Sequence, residues 1–193
     1  MILIIAIKKF SKYLLITGIK NFGVLNYKEI CSKIEKGYDN LEIQFVDPRK
    51  ILGSNHIYFA TLNALKAFKN EKNISKSLSI EILLYISGQK QIEVAIRLFG
   101  LQKKNRNLIL IAVGEKKEDL KRFEQNVKKS LNVELNNSII ESYSKKKYDN
   151  IKRVFNISTL EIETIKRKSD DSKDILEKLI VERMAFLYAG IEK

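Results

Sequence analysis

The stretch from Ser79 to Ser87, SIEILLYIS, constrains this chain more than any other. Wound as a helix, it points Ile80, Ile82, Leu83, Leu84, Tyr85 and Ile86 in every direction, so no face is left for water. Such a helix has to be covered on all sides, by the rest of its own domain or by a partner protein. Gly88 stops it, since glycine takes the left-handed conformation that closes a helix at no steric cost. Gln89-Lys90-Gln91 then opens a second helix with Ile92, Ala95, Ile96 and Phe99 on one face. Arg97 lies in its last turn and Gly100 closes it. The two helices make a tight hairpin about Gly88.

The remaining elements follow from period and punctuation. The opening MILIIAI, then Tyr13 to Ile19, Leu41 to Val46 and Leu108 to Val113, are short β-branched runs bounded by polar or turn residues, and read as strands. Asn26 and Glu29 form a capping box for a helix with Ile30, Cys31 and Ile34 on its apolar face, ended by Gly37. Asp47-Pro48 starts a turn of helix that Gly53 ends or bends. From Ser54 or Asn55 to about Asn70, a longer helix carries Tyr58, Leu62, Leu65 and Phe68 on one side. Ala60, Ala64 and Ala67 lie on another, a stripe that lets a neighbouring element approach closely. Glu118 to Leu131 is amphipathic with a charged outer face. Asp149 caps a short helix through Phe155, and Asp171 or Ser172 caps a last helix that ends at Gly190. Residues 132–150 are lysine-rich and weakly patterned, and are expected to form a mobile loop. The fold class expected is α/β (α+β): a small, mostly antiparallel sheet of three to five strands with six to seven helices, in a single domain over residues 1–193.

Charge and composition narrow the function. The net charge is +13, and 45% of residues are hydrophobic, enough apolar surface to fold. Residues 161–193 hold seven basic and eight acidic side chains, so the excess lies in residues 1–160. It concentrates at Lys103-Lys104-Asn105-Arg106, at Lys116-Lys117 with Lys121-Arg122 and Lys128-Lys129, and at Lys145-Lys146-Lys147 with Lys152-Arg153. A polyanion such as RNA is the natural partner. The alternative is a solvated surface: only seven of the 36 basic residues are Arg, and abundant Lys, Ile and Asn is what an AT-rich genome produces. One cysteine and one histidine exclude intrachain disulfides, zinc fingers and iron–sulfur clusters. The N-terminal apolar run is too short to span a membrane and lacks the order of a signal peptide, so a cytoplasmic protein is expected.

Catalytic patterns are missing. The eight glycines never adopt the spacing of a phosphate-cradling loop or a dinucleotide fingerprint. Cys31 sits on an apolar helix face as an inert thiol, which breaks the only Cys–His pair available. His56, at a helix start, reads as a capping or packing residue, with a binding role as the alternative. Asp170, Asp171 and Asp174 cluster at a helix N-terminus, where the helix dipole accounts for them. No catalytic residue, cofactor, metal or small-molecule substrate is expected.

From Phe45 to Val113 the order of features resembles a known family. These are Asp47-Pro48 after a strand, Asn55 with Ala60, Ala64 and Ala67 in the next helix, Glu81 inside an apolar helix, the Gln91-Ile92 entry, and Ala95 with Phe99-Gly100. The pattern is similar to the kinase-binding subunit of the KEOPS (EKC) complex, the TPRKB-like proteins, and extends more weakly to the N-terminal strand and to Ile151–Tyr188. The lysine-rich 132–150 region and the long 158–174 connection depart from it. The resemblance implies a non-catalytic subunit of the machine that attaches threonylcarbamoyl to a tRNA adenosine. Such a subunit docks on the N-lobe of a small atypical kinase/ATPase, supports its activity, and helps hold tRNA by its 3′ CCA end.

On that footing the Gly88 to Gln91 turn is the expected tRNA contact. Lys90 would neutralise a phosphate and Gln89 or Gln91 would bond base edges. The same residues also make an ordinary helix stop and start. His56 and Tyr58 would supply a stacking surface if the two helix starts converge, with Lys66, Lys69 and Arg97 as outer electrostatic contacts. The kinase patch is expected from Ile82, Tyr85 and Ile86 with Leu176 and Ile180 of the last helix; the alternative is that these fill the domain's own core. The competing functions are an independent basic RNA-binding or ribosome-associated protein without a kinase partner, and a small enzyme whose site is not visible in the sequence.

Overall fold

The computed structural model describes residues 3–20, 30, 34, 37–102, 105–167 and 171–190. Its strands are β1 (Leu3–Ile7), β2 (Lys12–Lys20), β3 (Glu42–Val46), β4 (Leu108–Gly114) and β5 (Glu134–Leu135). Its α-helices are α1 (Ser54–Lys69), α2 (Leu78–Ser87), α3 (Ile92–Phe99), α4 (Lys117–Leu131), α5 (Ser138–Glu141), α6 (Lys145–Val154), α7 (Thr159–Ile165) and α8 (Ser172–Ala189). The mixed α/β class with an antiparallel sheet is as the sequence pattern predicts; the short α5 and α7 are additions. The chain divides into two compact units, Met1–Pro48 with Gly100–Ile140, and Arg49–Phe99 with Glu141–Lys193.

The first unit is built on the sheet, in the order β1-β2-β4-β3, with every pairing antiparallel and β5 joined to β2 at Ile19 and Lys20. Strand alternation turns Leu15 and Ile19 of β2, Phe45 of β3, and Leu108, Leu110 and Ala112 of β4 into one apolar cluster. Leu120, Phe123, Val127 and Leu131 of α4 close over that cluster. Leu14, Ile16, Ile109 and Ile111 are buried as well, which explains why these strands read as unbroken apolar runs. Ile30 and Ile34, helical and buried, join the core, and Gly37 has φ +85°. The expected capping pair Asn26 and Glu29, and Cys31, lie outside the described residues.

The 132–150 stretch, expected as a loop, holds β5, α5 and the start of α6. Polar side chains do the ordering. Asn137 Oδ1 accepts the Gly18 N–H at 2.9 Å and the Thr17 hydroxyl at 3.2 Å, and the Asn136 N–H donates to the Gly18 carbonyl at 2.7 Å. Further on, the Ser144 hydroxyl caps α6 by accepting the Lys147 N–H. A hydrophobic-period reading is blind to such asparagine and serine contacts.

The second unit is helical, and α2 lies at its centre, packed on α1, α3 and α8. All seven residues from Glu81 to Ser87 are buried. The patch expected to meet a kinase is therefore core: Ile82, Ile86, Leu176 and Ile180 are 0% exposed and Tyr85 is 1% exposed. The alanine stripe of α1 makes this possible, because Ala60, Ala64 and Ala67, also fully buried, let backbones come close. Glu81 is the only buried acid among the described residues of this unit. Its Oε2 accepts the N–H groups of Ile74 at 3.0 Å and Ser75 at 2.8 Å, tying the connection before α2 to the helix. Burial pushes its carboxyl above the usual range, against the pull of those two bonds.

Two outcomes follow from this packing. A Cβ at Gly18 would collide with the Asn136 carbonyl and the Ile139 side chain. Gly18→Ala should therefore lower stability by about 1–3 kcal/mol, read from urea unfolding midpoints. Because the folded state favours protonated Glu81, the stability this group supports is present at acid pH and is lost as pH rises past the ordinary carboxylate value. Glu81→Gln should gain on the parent protein as pH increases, in thermal melts run from acid to neutral.

Candidate nucleic-acid interface

The end of α2 shapes the site. Gly88 adopts φ +64°, its N–H bonding back to the Leu84 and Tyr85 carbonyls, and the Gln89 N–H also donates to Leu84. The Gln91 carbonyl accepts the Ala95 N–H at 3.0 Å and so begins α3. Gly88 to Gln91 thus form a short, fixed bridge between two helices, with Lys90 and Gln91 exposed.

This bridge forms one wall of a cleft of about 450 Å³ within the second unit. The opposite wall comes from the end of α6, with Val154, Phe155 and Asn156, and from α8, with Arg183, Phe186 and Leu187. Phe155 lies directly under Gly88, where even a methyl group would touch its ring at 3.4 Å. That ring is held edge-on by His56 and Phe99, at centroid distances of 5.6 and 5.9 Å. The Arg183 guanidinium donates to Glu161 at 2.6 Å and to Glu182 at 3.4 Å. Lys90 Nζ donates to the Gly190 carbonyl at 3.3 Å, bringing its ammonium to the end of α8. The result is a groove with an aromatic floor, amide side chains on one wall, the Lys90 ammonium at its edge and an Arg183 already countered by two glutamates, a set in which Lys90 can meet an anion.

Of the residues expected to touch tRNA, the structure gathers Gly88, Gln89, Lys90 and Gln91 at this cleft. Tyr58, Lys66, Lys69 and Arg97 are not among its lining residues; Lys66 sits instead over the Tyr188 ring, 4.3 Å from its centroid. His56 is a correction. It is 1% exposed, so no nucleotide can stack on it. Its Nδ1 accepts the Leu52 N–H at 3.3 Å, which leaves Nε2 to carry the proton and donate to the Ile86 carbonyl at 2.9 Å. It thereby satisfies a carbonyl of the last turn of α2 and supports the cleft floor through Phe155. Sequence reasoning missed Phe155, Asn156, Arg183 and Phe186. Arg183, one of only seven arginines in a lysine-rich chain, was the only signal available.

Burial lowers the His56 pKa from 6.5 to about 4, opposed by the bond to Ile86 and aided by the Lys147 charge. Between these values the unfolded chain takes up the proton first, so acid pulls toward unfolding. The His56 contribution should be intact above pH 6.5 and fall away toward pH 4, by up to roughly 3 kcal/mol. His56→Gln, which preserves one acceptor and one donor, should flatten the stability difference across that window in chemical denaturation at stepped pH.

The second unit thus carries a cleft beside the Gly88 to Gln91 turn. Residues 22–187 match the model of the family described as Kinase binding protein CGI-121, and the chain belongs to that family. It is 39% identical over 67 residues to the KEOPS complex subunit Cgi121 of Pyrococcus abyssi, covering 35% of this chain and 39% of that protein. Against the EKC/KEOPS complex subunit cgi121 of Schizosaccharomyces pombe it is 28% identical over 81 residues, covering 42% and 47%. Against the Coccidioides immitis subunit CGI121 the figures are 31% over 77 residues, with 40% and 37% covered. In each case the aligned stretch spans less than half of the relative.

Proposed function

We propose that this chain is a non-catalytic subunit of a KEOPS-type complex, which binds the N-lobe of its small kinase/ATPase, supports that enzyme's activity, and holds tRNA by the single-stranded 3′ CCA end. Family membership and the names of the relatives support the kinase and the complex. The observation that carries the tRNA half is the cleft beneath the Gly88 to Gln91 turn. Single-stranded ends are held by cations along the backbone and by flat groups against the bases. Lys90 supplies the cation, Gln89 and Gln91 face base edges, and Phe186 and the Arg183 plane offer stacking surfaces.

The kinase needs a surface other than α2. Exposed large apolar side chains of the second unit include Ile92 (38%) and Ile96 (48%), one turn apart on α3, and Leu160 (71%) and Ile165 (37%) on α7. Docking is expected to cover one of these pairs.

Full-length tRNA should bind at least tenfold more tightly than the same tRNA lacking its CCA, in fluorescence anisotropy at fixed salt. Lys90→Ala should lower the salt slope by about one unit. Equal binding of both tRNAs with one common slope would falsify the cleft assignment. For the kinase, Ile96→Glu or Leu160→Glu should abolish pull-down by the N-lobe, and Leu160→Glu should do so without shifting the melting temperature, since Leu160 is 71% exposed. If neither does, or if the parent chain captures no kinase, the protein is an independent RNA binder.

A further inference from the structure

The first unit carries a second cationic surface, far in sequence from the cleft. On α4 the buried side chains are Leu120, Phe123, Glu124, Val127 and Leu131, and Lys117, Lys121 and Lys128 are exposed. By helical geometry these three lysines fall within about 40° of one another and span about 16 Å of one flank. Lys117 and Lys121 form no ion pair with a described carboxylate, and Lys128 acts only at long range on the buried Glu124 one turn away. Glu118 is the one exposed acid among the described residues of the helix, and Asp119 is engaged by Arg122 and Asn40.

The sheet extends the strip. Lys8 and Lys9, both exposed, occupy the turn between β1 and β2. The register Tyr13↔Gly114 and the Lys12–Glu115 ion pair at 2.9 Å bring that turn to the end of the sheet where β4 runs into Lys116 and Lys117. Two segments a hundred residues apart in sequence thus contribute cations to one place, which a lysine-rich composition alone does not arrange.

We propose that the outer flank of α4, with Lys117, Lys121 and Lys128, grips the phosphate backbone of a base-paired RNA stem. This rests on the tRNA-holding reading above and adds a duplex contact to the single-stranded one. Charge complementarity argues for a nucleic-acid backbone as the occupant. Among the described residues, no large apolar side chain of the first unit is exposed. A membrane needs an apolar face to bury, and a protein interface needs aromatic or aliphatic anchors. An all-polar row of ammonium groups suits a backbone recognised by charge and shape, as A-form helices are.

The test is a triple variant, Lys117→Ala with Lys121→Ala and Lys128→Ala, set against a control of equal charge, Lys76→Ala with Lys166→Ala and Lys178→Ala. Each is titrated with a tRNA transcript, the same transcript without CCA, and a blunt RNA hairpin, over a salt series, after melts establish that both variants fold. The α4 triple should weaken all three RNAs about tenfold and reduce the salt slope by about two to three units. It should leave the ratio between the two tRNAs unchanged, while the control shifts binding less than threefold. Equal losses from both triples would overturn the proposal, as general basicity would then account for the affinity. Loss of CCA discrimination in the parent protein, with the α4 effect intact, would sink the cleft reading and leave this one standing.

Discussion

Keeping water from α2 is the condition on which the second unit is organised. Its large apolar residues, each worth roughly 1.5–3 kcal/mol when buried, have no exposed face to fall back on. Three neighbouring helices supply the cover, and the alanines of α1 set how closely they approach. Both ends of α2 are then held by polar groups that depend on this burial. Glu81 near its start takes two backbone N–H groups from the preceding connection, and His56 takes the Ile86 carbonyl at its end. Each titrates away from its ordinary value because it lies inside, and in opposite senses: the carboxyl is pushed up and the imidazole down.

The cleft is a consequence of the same arrangement. Where α2 stops at Gly88, the chain has to turn sharply, and Phe155 fills the space below the turn. His56 and Phe99 pack edge-on against that ring, so the floor of the groove is built from side chains of three separate segments. The groups at the rim, Lys90 and Arg183, are likewise tethered, by the Gly190 carbonyl and by Glu161.

The two units differ in the surfaces they offer. Every exposed large apolar side chain among the described residues belongs to the second unit. The first presents a polar, cationic helix on a sheet whose strands are largely buried. Apolar anchors suit a protein partner, and unpaired ammonium groups suit a nucleic-acid backbone.

Period and punctuation in the sequence determined β1 to β4, α1 to α4, α8, and the Gly88 to Gln91 turn, because alternation, capping residues and helix-stopping glycines act within a few residues of where they occur. The same local signals show that Ser79 to Ser87 needs complete cover. Who supplies that cover was a tertiary matter: α1, α3 and α8 do so, turning Ile82, Tyr85, Ile86, Leu176 and Ile180 from an expected interface into core. His56 became a buried support and Arg183 a cleft residue for the same reason, since their neighbours lie 30 and 95 residues away along the chain. The 132–150 region was illegible to a hydrophobic pattern because single asparagine and serine hydrogen bonds to distant or local backbone order it.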